Sequence, residues 1–275
     1  MKKSLIALML GSLFIGPAYA ATPEDVLLEK LEASGKLDAA LERAIARRVA
    51  KEKAQRENEA KAEQDAKHEA AKKIRPLGKT DRIYGPENAR ISLIVMSDPE
   101  CPYCQRLAGI PEQAADQSQG KANVALRLFP LDFHGQAAIN ASLTALCVAD
   151  QAGAKGYYTF FNGYLAATQG NGKGIPNGKG KKSAAEVTHQ LLKRAGVMDF
   201  NKLKACQQSE DTVKRLEAEF NDAVEAGTTG TPYMVLRNNE NGAVKIVAGV
   251  APVEVLLQEI AQLSGESGGS APSQK

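Results

Sequence analysis

The sequence predicts an α/β domain over residues 77–263, preceded by an all-helical N-terminal region. Two observations carry this prediction. Between residues 80 and 263, short apolar runs rich in β-branched residues alternate with segments whose apolar residues recur at helical spacing. Residues 22–73, in contrast, show helical patterns only. The later segment has an ordinary length for one domain with its own hydrophobic core.

The first 20 residues resemble a cleavable export signal. Lys2 and Lys3 precede an apolar segment, residues 5–15, and an Ala-Tyr-Ala sequence ends at Ala20. Because the apolar segment is too short to span a bilayer permanently, we expect cleavage after Ala20 and no membrane insertion. Export leads to an oxidising compartment, where disulfides form and persist.

The charge balance excludes one class of partner. The chain has 35 Lys and Arg against 32 Asp and Glu. Loss of the two signal lysines leaves a charge of about +1, which gives no reason to expect nucleic-acid binding.

Two helices are predicted before the α/β domain. Thr22 as N-cap and Pro23 at the first helical position begin one helix, which ends near Gly35. The second runs from Leu37 to about Lys73. Each carries an apolar face although no domain of its own surrounds it. We therefore expect residues 21–49 to self-associate, with a dimer as the first choice. The alternative is that they fold back onto the α/β domain of a monomer.

The charged half of the second helix, residues 50–76, is expected to be a linker. Alanine is its only apolar residue up to Lys73, so charge pairs must stabilise it, and disorder is the alternative. Ile74-Arg-Pro76 ends it. The expected pairs are Glu52 with Arg56, Glu57 with Lys61, Glu63 with Lys67, and Glu69 with Lys73.

The chemistry is expected at Cys101 and Cys104. The predicted strand 91–96 ends just before them, and Leu107, Ile110 and Ala114 continue at helical spacing. Cys101 therefore begins a helix, where the helix dipole and free N–H groups should lower its pKa below about 8.5. Cys104 would be shielded and could resolve a mixed disulfide.

The alternatives for this pair are a zinc site, a purely structural disulfide and, least favoured because Pro102 and Tyr103 keep the segment at a turn, two unpaired core cysteines. Zinc needs more ligands, but Cys147 and Cys206 stand alone, and His68, His134 and His189 have unrelated spacings. No metal is expected. His134 follows an apolar strand and is interpreted as a hydrogen-bonded structural residue rather than a catalytic one. The remaining cysteines, Cys147 and Cys206, most simply bridge each other in an exported chain.

The other elements follow in order. A helical insertion is expected at about residues 135–208, a flexible basic loop at residues 170–182, and a disordered tail at residues 264–275. No register of that loop fits a phosphate-binding motif. The predicted strands lie near Ile83 and at residues 91–96, 124–129, 233–236 and 243–247, and the helices at residues 136–150, 183–195, 209–226 and 252–263.

Three segments carry a resemblance to a known family. They are Ile83–Cys104, which includes Cys-Pro-Tyr-Cys, then Phe129–His134, and Thr231-Pro232 at the start of a hairpin. Together they resemble the catalytic domain of the periplasmic disulfide isomerases DsbC and DsbG, a thioredoxin fold with a helical insertion. The resemblance covers about residues 80–263.

The resemblance implies a complete site. Cys101 and Cys104 would be catalytic, while Pro102, Tyr103, Thr231 and Pro232 would contact substrate. The Thr231–Pro232 bond would be cis, and an extended substrate would pair with the Thr231 backbone. No cofactor is implied. A membrane reductase of the DsbD type would supply electrons in the periplasm.

Two departures from the family pattern matter. DsbC and DsbG have a larger, strand-containing dimerisation domain, and helical-stalk relatives of the DsbA class include trimers. Many thioredoxins have a buried aspartate where this chain has Val95, so no proton relay is visible. The expected function is isomerisation of wrongly paired disulfides in exported proteins, with chaperone character. The alternatives are a DsbA-like oxidase or reductase and, from another class, a non-catalytic holdase.

Overall fold

A computed structural model describes residues 22–177 and 182–265 of the chain. The predicted export signal and nearly all of the predicted tail lie outside the described residues.

The centre of the fold is a five-stranded sheet with the order β1-β3-β2-β4-β5. Strands β2 and β3 run parallel, and the other neighbours are antiparallel. The strands are β1 (Ile83–Tyr84), β2 (Ile91–Ser97), β3 (Ala122–Leu128), β4 (Tyr233–Asn238) and β5 (Val244–Ala248).

Helices precede the sheet, cover it and fill the insertion between β3 and β4. Helix α5 is kinked at Gly153, and a 3₁₀ turn, Asp132–His134, precedes it. The helices are α1 (Pro23–Ala33), α2 (Lys36–Ala71), α3 (Pro102–Leu107), α4 (Ile110–Gln117), α5 (Gly135–Ala167), α6 (Ala184–Arg194), α7 (Phe200–Gln207), α8 (Glu210–Glu225) and α9 (Val253–Leu263).

Both faces of the sheet are buried because successive side chains of a strand point to opposite sides. On β2, Leu93 and Val95 join a core formed with α3, α4, α5 and α9. Ile94 and Met96 join a second core on the other face, which includes Phe129. This two-sided burial explains the unbroken apolar run of β2. The predicted thioredoxin fold with a helical insertion is confirmed.

Two predicted helices differ from the observed ones. The helix expected to end at residue 150 continues as α5 to Ala167. The helix after Cys101 is not continuous, because it stops at Leu107 and restarts at Ile110. Gly109 joins the two pieces with φ +78°, a backbone conformation that glycine adopts without steric cost.

The chain forms two compact units, with the boundary between Ala62 and Glu63. In the first unit, Thr22 and Asp25 form a capping box at the start of α1. The apolar residues predicted to face a partner are exposed, each by about 40% or more. They are Val26, Leu27, Leu28, Leu31, Leu37, Leu41, Ile45 and Val49.

The charge pairs of α2 differ from the predicted set. Glu63 pairs with Lys67 as expected. Glu69 contacts Lys72 rather than Lys73, with the ammonium 2.6 Å from the carboxylate. Glu52 and Glu57 pair with bases of the preceding helical turn instead. Glu52 contacts Arg48, and Glu57 contacts Lys53. An exposed glutamate can reach bases on either side, so spacing alone does not select its partner.

In the second unit, a buried charge network fixes the segment that leads into the sheet. Arg127 Nε donates to Asp81 Oδ1 at 2.9 Å, and both side chains are almost fully buried. Arg75 donates to Asp81 at 3.0 Å and to Asp222 at 2.6 Å. Burial acts to raise the pKa of Asp81, but hydrogen bonds from Arg127 and Arg75 hold this pKa below its ordinary value. Ile74, beside this network, is buried in the second core.

None of the helices in the described ranges has the length and apolar character needed to cross a membrane.

The network predicts unequal roles for its two acids. Asp81→Asn leaves Arg127 buried without a carboxylate, so we expect unfolding free energy to fall by about 3 kcal/mol in urea denaturation of the full chain. Asp222→Asn is the matched control, because it contacts only the more exposed Arg75 and should cost less than about 1 kcal/mol. Equal losses would contradict the assignment of Asp81 as the centre of the network.

Candidate active site

The two cysteines of the motif lie where β2 meets α3. Cys101 is the N-cap of α3, and Pro102 occupies the first helical position, where its missing N–H costs nothing. Cys101 and Cys104 are free, buried thiols. Across from them, the Thr231–Pro232 peptide bond is cis. Cys101 Sγ lies 3.4 Å from the Thr231 carbonyl oxygen, so the structure brings Cys101 and this loop together.

The Cys101 sulfur is stabilised as an anion. A hydrogen bond from the Cys104 thiol is the largest cause, and the backbone N–H groups of Tyr103 and Cys104 at the helix start add to it. Together they outweigh burial and lower the pKa of Cys101 from 9.0 to about 5. Thiolate is the nucleophilic form of cysteine, so Cys101 is reactive at neutral pH.

Cys104 has the opposite character. Burial raises its pKa well above the ordinary value, and the neighbouring Cys101 acts in the same direction. Its Sγ lies 3.5 Å from the Asp98 backbone N. The asymmetry fits a sequence in which Cys101 attacks first and Cys104 attacks later.

The residues between the cysteines differ in exposure. Tyr103 is 54% exposed beside the buried Cys101. The Arg106 guanidinium carbon lies 4.4 Å from the centre of the Tyr103 ring, so one face of the ring packs against a cation. Arg106 therefore restrains the Tyr103 ring, which still exposes aromatic surface next to the Cys101 sulfur.

Asp98 organises the strand end before the motif. Its buried carboxylate accepts hydrogen bonds from the backbone N of Glu100 at 2.6 Å and of Leu131 at 2.7 Å. His134 Nδ1 lies 2.7 Å from Asp98 Oδ2, the same oxygen that accepts from Leu131 N. His134 thus supports the active-site loop through Asp98, in agreement with its interpretation as a structural residue.

Glu100, directly before Cys101, is a second buried carboxylate with full hydrogen bonding. Tyr164 and Thr168 hydroxyls each donate to its Oε1 at 2.7 Å, and Gly174 N donates to Oε2 at 3.1 Å. Its carbonyl oxygen accepts from Asn171 N at 2.7 Å. Glu100 therefore joins the active-site loop to the end of α5 and the segment after it.

The glycine-rich segment expected to be a flexible loop is packed at its beginning. A Cβ on Gly170 would lie 3.3 Å from the Glu100 carbonyl oxygen, and one on Gly172 would lie 2.7 Å from that of His134. Both glycines have positive φ. Glycine is therefore needed here for close approach and turn geometry. Residues 178–181 lie outside the described part.

The remaining predicted site residues lie in the insertion. Cys147 and Cys206 form a disulfide between α5 and α7. Since 59 residues separate them, the bond restricts the unfolded chain and stabilises the insertion. Among the residues that the structure describes, no group of three or more His, Cys, Asp or Glu side chains could hold a metal ion.

Sequence reasoning missed the two buried carboxylates beside the motif. Asp98 and Glu100 follow an apolar strand at a predicted turn, where charged residues are ordinarily exposed. The only available signal was their position between a buried strand and the reactive cysteine. Their partners come from distant parts of the chain and could not be read from spacing.

The lowered pKa predicts the pH dependence of Cys101 alkylation. For reduced full-length protein, the rate with iodoacetamide should be half-maximal near pH 5 rather than near pH 9, because only the thiolate reacts. Mass spectrometry after brief labelling identifies the modified cysteine. The Cys104→Ala variant is the control: it removes the side-chain donor to Cys101 and should shift the midpoint upward. A midpoint near 9 in the native protein would contradict the thiolate assignment.

Comparisons with known proteins agree with this geometry. A family model described as thioredoxin matches residues 78–243. Among solved structures, DsbA2 of Pseudomonas aeruginosa is 26% identical with a TM-score of 0.58, covering 70% of this chain and 98% of that one.

Two further structures share the fold. BcfH of Salmonella enterica Typhimurium is 17% identical with a TM-score of 0.63, covering 87% of this chain and 98% of its own. The catalytic domain of Proteus mirabilis ScsC is 19% identical with a TM-score of 0.50, covering 74% and 95% respectively. No curated protein matches the sequence. Because the thioredoxin model covers more than half of the chain, the protein belongs to the thioredoxin family, and its Cys101–Cys104 pair makes it a thiol–disulfide oxidoreductase.

Proposed function

We propose that this oxidoreductase is a periplasmic disulfide isomerase that rearranges wrong disulfides in exported proteins and has chaperone character. The observation that carries the proposal is the stabilised thiolate of Cys101 beside the cis Thr231–Pro232 bond. A sulfur that is stable as an anion favours the reduced enzyme, and the reduced enzyme is the form that attacks a substrate disulfide. The predicted export signal supports the compartment, and one structural relative is described as a periplasmic thioredoxin-like protein of Salmonella.

The reaction begins when Cys101 thiolate attacks one sulfur of a substrate disulfide. A bond forms between Cys101 and that sulfur, and the other substrate sulfur leaves as a thiolate. In isomerisation, a substrate thiolate then displaces Cys101, so the enzyme ends reduced. In reduction, Cys104 displaces the substrate and the enzyme ends as the Cys101–Cys104 disulfide. A membrane reductase of the DsbD type would return it to the dithiol.

Substrate would contact the surface around Cys101. On one side, the exposed Tyr103 and the partly buried Pro102 provide an apolar edge. On the other side, an extended substrate would pair with the backbone of Thr231, two residues before β4 begins at Tyr233. The backbone pairing at Thr231 is independent of substrate side chains, as an enzyme acting on many misfolded chains requires.

A DsbA-like oxidase is the second candidate, and the 26% identity with DsbA2 favours it as strongly. The low pKa of Cys101 stabilises the reduced dithiol form of the enzyme, and this stabilisation makes the disulfide form a stronger oxidant. The narrower resemblance to DsbC and DsbG therefore stays a prediction until activity is measured. A holdase without catalysis would be indicated if Cys101→Ala left function in cells intact.

The two redox activities differ in their need for Cys104. Isomerisation can proceed through Cys101 alone, whereas oxidation requires the Cys101–Cys104 disulfide. We expect the Cys104→Ser variant to refold scrambled ribonuclease with at least about a third of the native rate, and Cys101→Ser to be inactive. Oxidation of reduced ribonuclease by the disulfide form is measured alongside. Strong oxidation together with no scrambled refolding would show an oxidase.

The exposed apolar face of α1 and α2 supports a second part of the proposal, self-association through residues 22–49. Leu41 and Ile45 are each more than half exposed in a single chain. Exposure of these apolar side chains to water is unfavourable in free energy, and burial in a homodimer would remove that cost. Two active sites in one particle could then hold an unfolded chain between them. The apolar face by itself does not limit the assembly to two chains.

Assembly is tested by sedimentation of the mature protein. We expect a dimer that the double change Leu41→Glu and Ile45→Glu converts to monomer, because two buried carboxylates would lack partners. Arg47→Glu, on the opposite face of α2, is the matched control and should remain assembled. The monomer should lose scrambled ribonuclease refolding but keep Cys101 alkylation. A native protein that sediments as a monomer would contradict the assembly, and a trimer would correct its stoichiometry.

A further inference from the structure

The exchange reaction requires a proton acceptor for Cys104 that the active-site contacts described above do not include. Burial keeps Cys104 protonated, yet it must become a thiolate before it can attack the mixed disulfide on Cys101. Val95 occupies the strand position where many thioredoxins have an acid, and it is apolar. Another group must therefore take the proton.

The buried acids near the motif can be compared by their hydrogen bonds. Asp98 accepts from two backbone N–H groups and lies against His134. Glu100 accepts from two hydroxyls and a backbone N–H. Both carboxylates are held by three neighbours and have structural tasks. Neither lines the cavity beside Cys104.

Glu112 is different. It lies on α4, only 8% exposed, and Asn162 Nδ2 of α5 donates to its Oε1 at 2.9 Å. Glu112 and Cys104 line the same small cavity, together with Ser97 and Asn162. The cavity measures about 10 Å³, close to the smallest space that holds one water molecule. The rest of the lining is mostly apolar, and these four side chains provide the several partners that such a water needs.

The break between α3 and α4 creates this arrangement. α3 ends at Leu107, and Gly109 turns the chain before α4 begins. The residues of the turn, Ala108 and Gly109, also line the cavity. A continuous helix would place Glu112 elsewhere relative to Cys104, so the break positions the acid.

We propose that Glu112 is the proton acceptor for Cys104, acting through one water molecule in this cavity. In the resolving step, the Cys104 proton passes to the water and a water proton passes to the Glu112 carboxylate. Cys104 thiolate then attacks Cys101 sulfur. The Cys101–Cys104 bond forms, the bond from Cys101 to substrate breaks, and the substrate leaves as a thiolate. The two cysteines are oxidised and the substrate disulfide is reduced, with two electrons transferred. In the reverse direction Glu112 returns the proton.

The electrostatic surroundings suit this role. Burial raises the pKa of Glu112 above its ordinary value and brings it nearer to neutrality, where a general base is effective. The ionisable groups that interact with it are Asp116 on α4, Tyr84 on β1 and Tyr158 on α5. Asp116 acts to raise the Glu112 pKa further.

A reaction with Ellman's reagent separates the two sulfurs. The reduced full-length protein releases one thionitrobenzoate when Cys101 attacks and a second when Cys104 resolves the adduct. The inference rests on the proposed exchange chemistry, and the first phase tests that chemistry by itself. We expect Glu112→Gln to leave the first phase unchanged and to slow the second about tenfold at pH 7.

The pH profile distinguishes proton transfer from a structural effect. In the native protein the second phase should rise as Glu112 ionises and then level off. In Glu112→Gln it should instead rise about tenfold per pH unit as hydroxide takes over. Glu112→Asp keeps a carboxylate and should restore part of the rate. Asp116→Asn, at an exposed acid one turn along α4, is the matched control: it keeps the Glu112 carboxylate and should keep the native plateau rate, with the rise moved to lower pH because Asp116 raises the Glu112 pKa. An unchanged second phase in Glu112→Gln would overturn the proposal.

A measurement on the native protein tests the role of Glu112 even if a variant does not fold. Carbon-13 NMR of glutamate-labelled protein gives the Glu112 carboxyl pKa, with the resonance assigned by its loss in Glu112→Gln or, should that variant not fold, in Glu112→Asp. The pKa should be higher in the dithiol form than in the disulfide form, because the Cys101 thiolate is then nearby. Equal pKa values in the two forms would also overturn the proposal.

Discussion

The rest of the structure depends on holding a sulfur anion inside a largely apolar core. A buried thiolate is unfavourable unless donors replace the water that it loses. At Cys101 these donors are the Cys104 thiol and backbone N–H groups at the start of α3. They exist because β2 ends where α3 begins, and because the cis Thr231–Pro232 loop closes the other side. The fold thus stabilises the thiolate through the Cys104 thiol and backbone N–H groups rather than through a charged side chain.

That arrangement places the thiolate close to two buried acidic side chains. Asp98 and Glu100 lie within three residues of Cys101 and are fully buried. Each is surrounded by donors, so neither requires a neighbouring cation in the active-site loop. Their donors come from the segment after β3 and from the end of α5 and beyond. The helical insertion is therefore joined to the active-site loop by hydrogen bonds. Within the insertion, the Cys147–Cys206 disulfide ties the part of α5 just before its kink at Gly153 to α7.

The two compact units follow different physical rules. The second unit buries apolar residues on both faces of a sheet and fixes its entry segment by the Asp81 network. In the first unit, α1 and the first part of α2 have leucine-rich faces that remain exposed in a single chain. The second unit has a complete hydrophobic core, whereas the first unit exposes an apolar surface of the kind that binds another protein chain. This contrast supports the proposed link between assembly and function.

The sequence by itself determined the fold class, the position of Cys101 at a helix start, the caps of α1 and α6, and the strands beside the motif. These features follow from local periodicity, capping residues and proline placement, which act within a few positions of the chain. The resemblance to known redox proteins added the cis proline opposite Cys101. Only the tertiary structure decided where the helix after Cys101 breaks, which bases pair with Glu52 and Glu57, and why Gly170 and Gly172 are needed. It also placed Glu112 and Cys104 around one cavity. The physical reason is that a buried polar group takes its partner from whichever distant segment packs against it, and no spacing in the sequence encodes that choice.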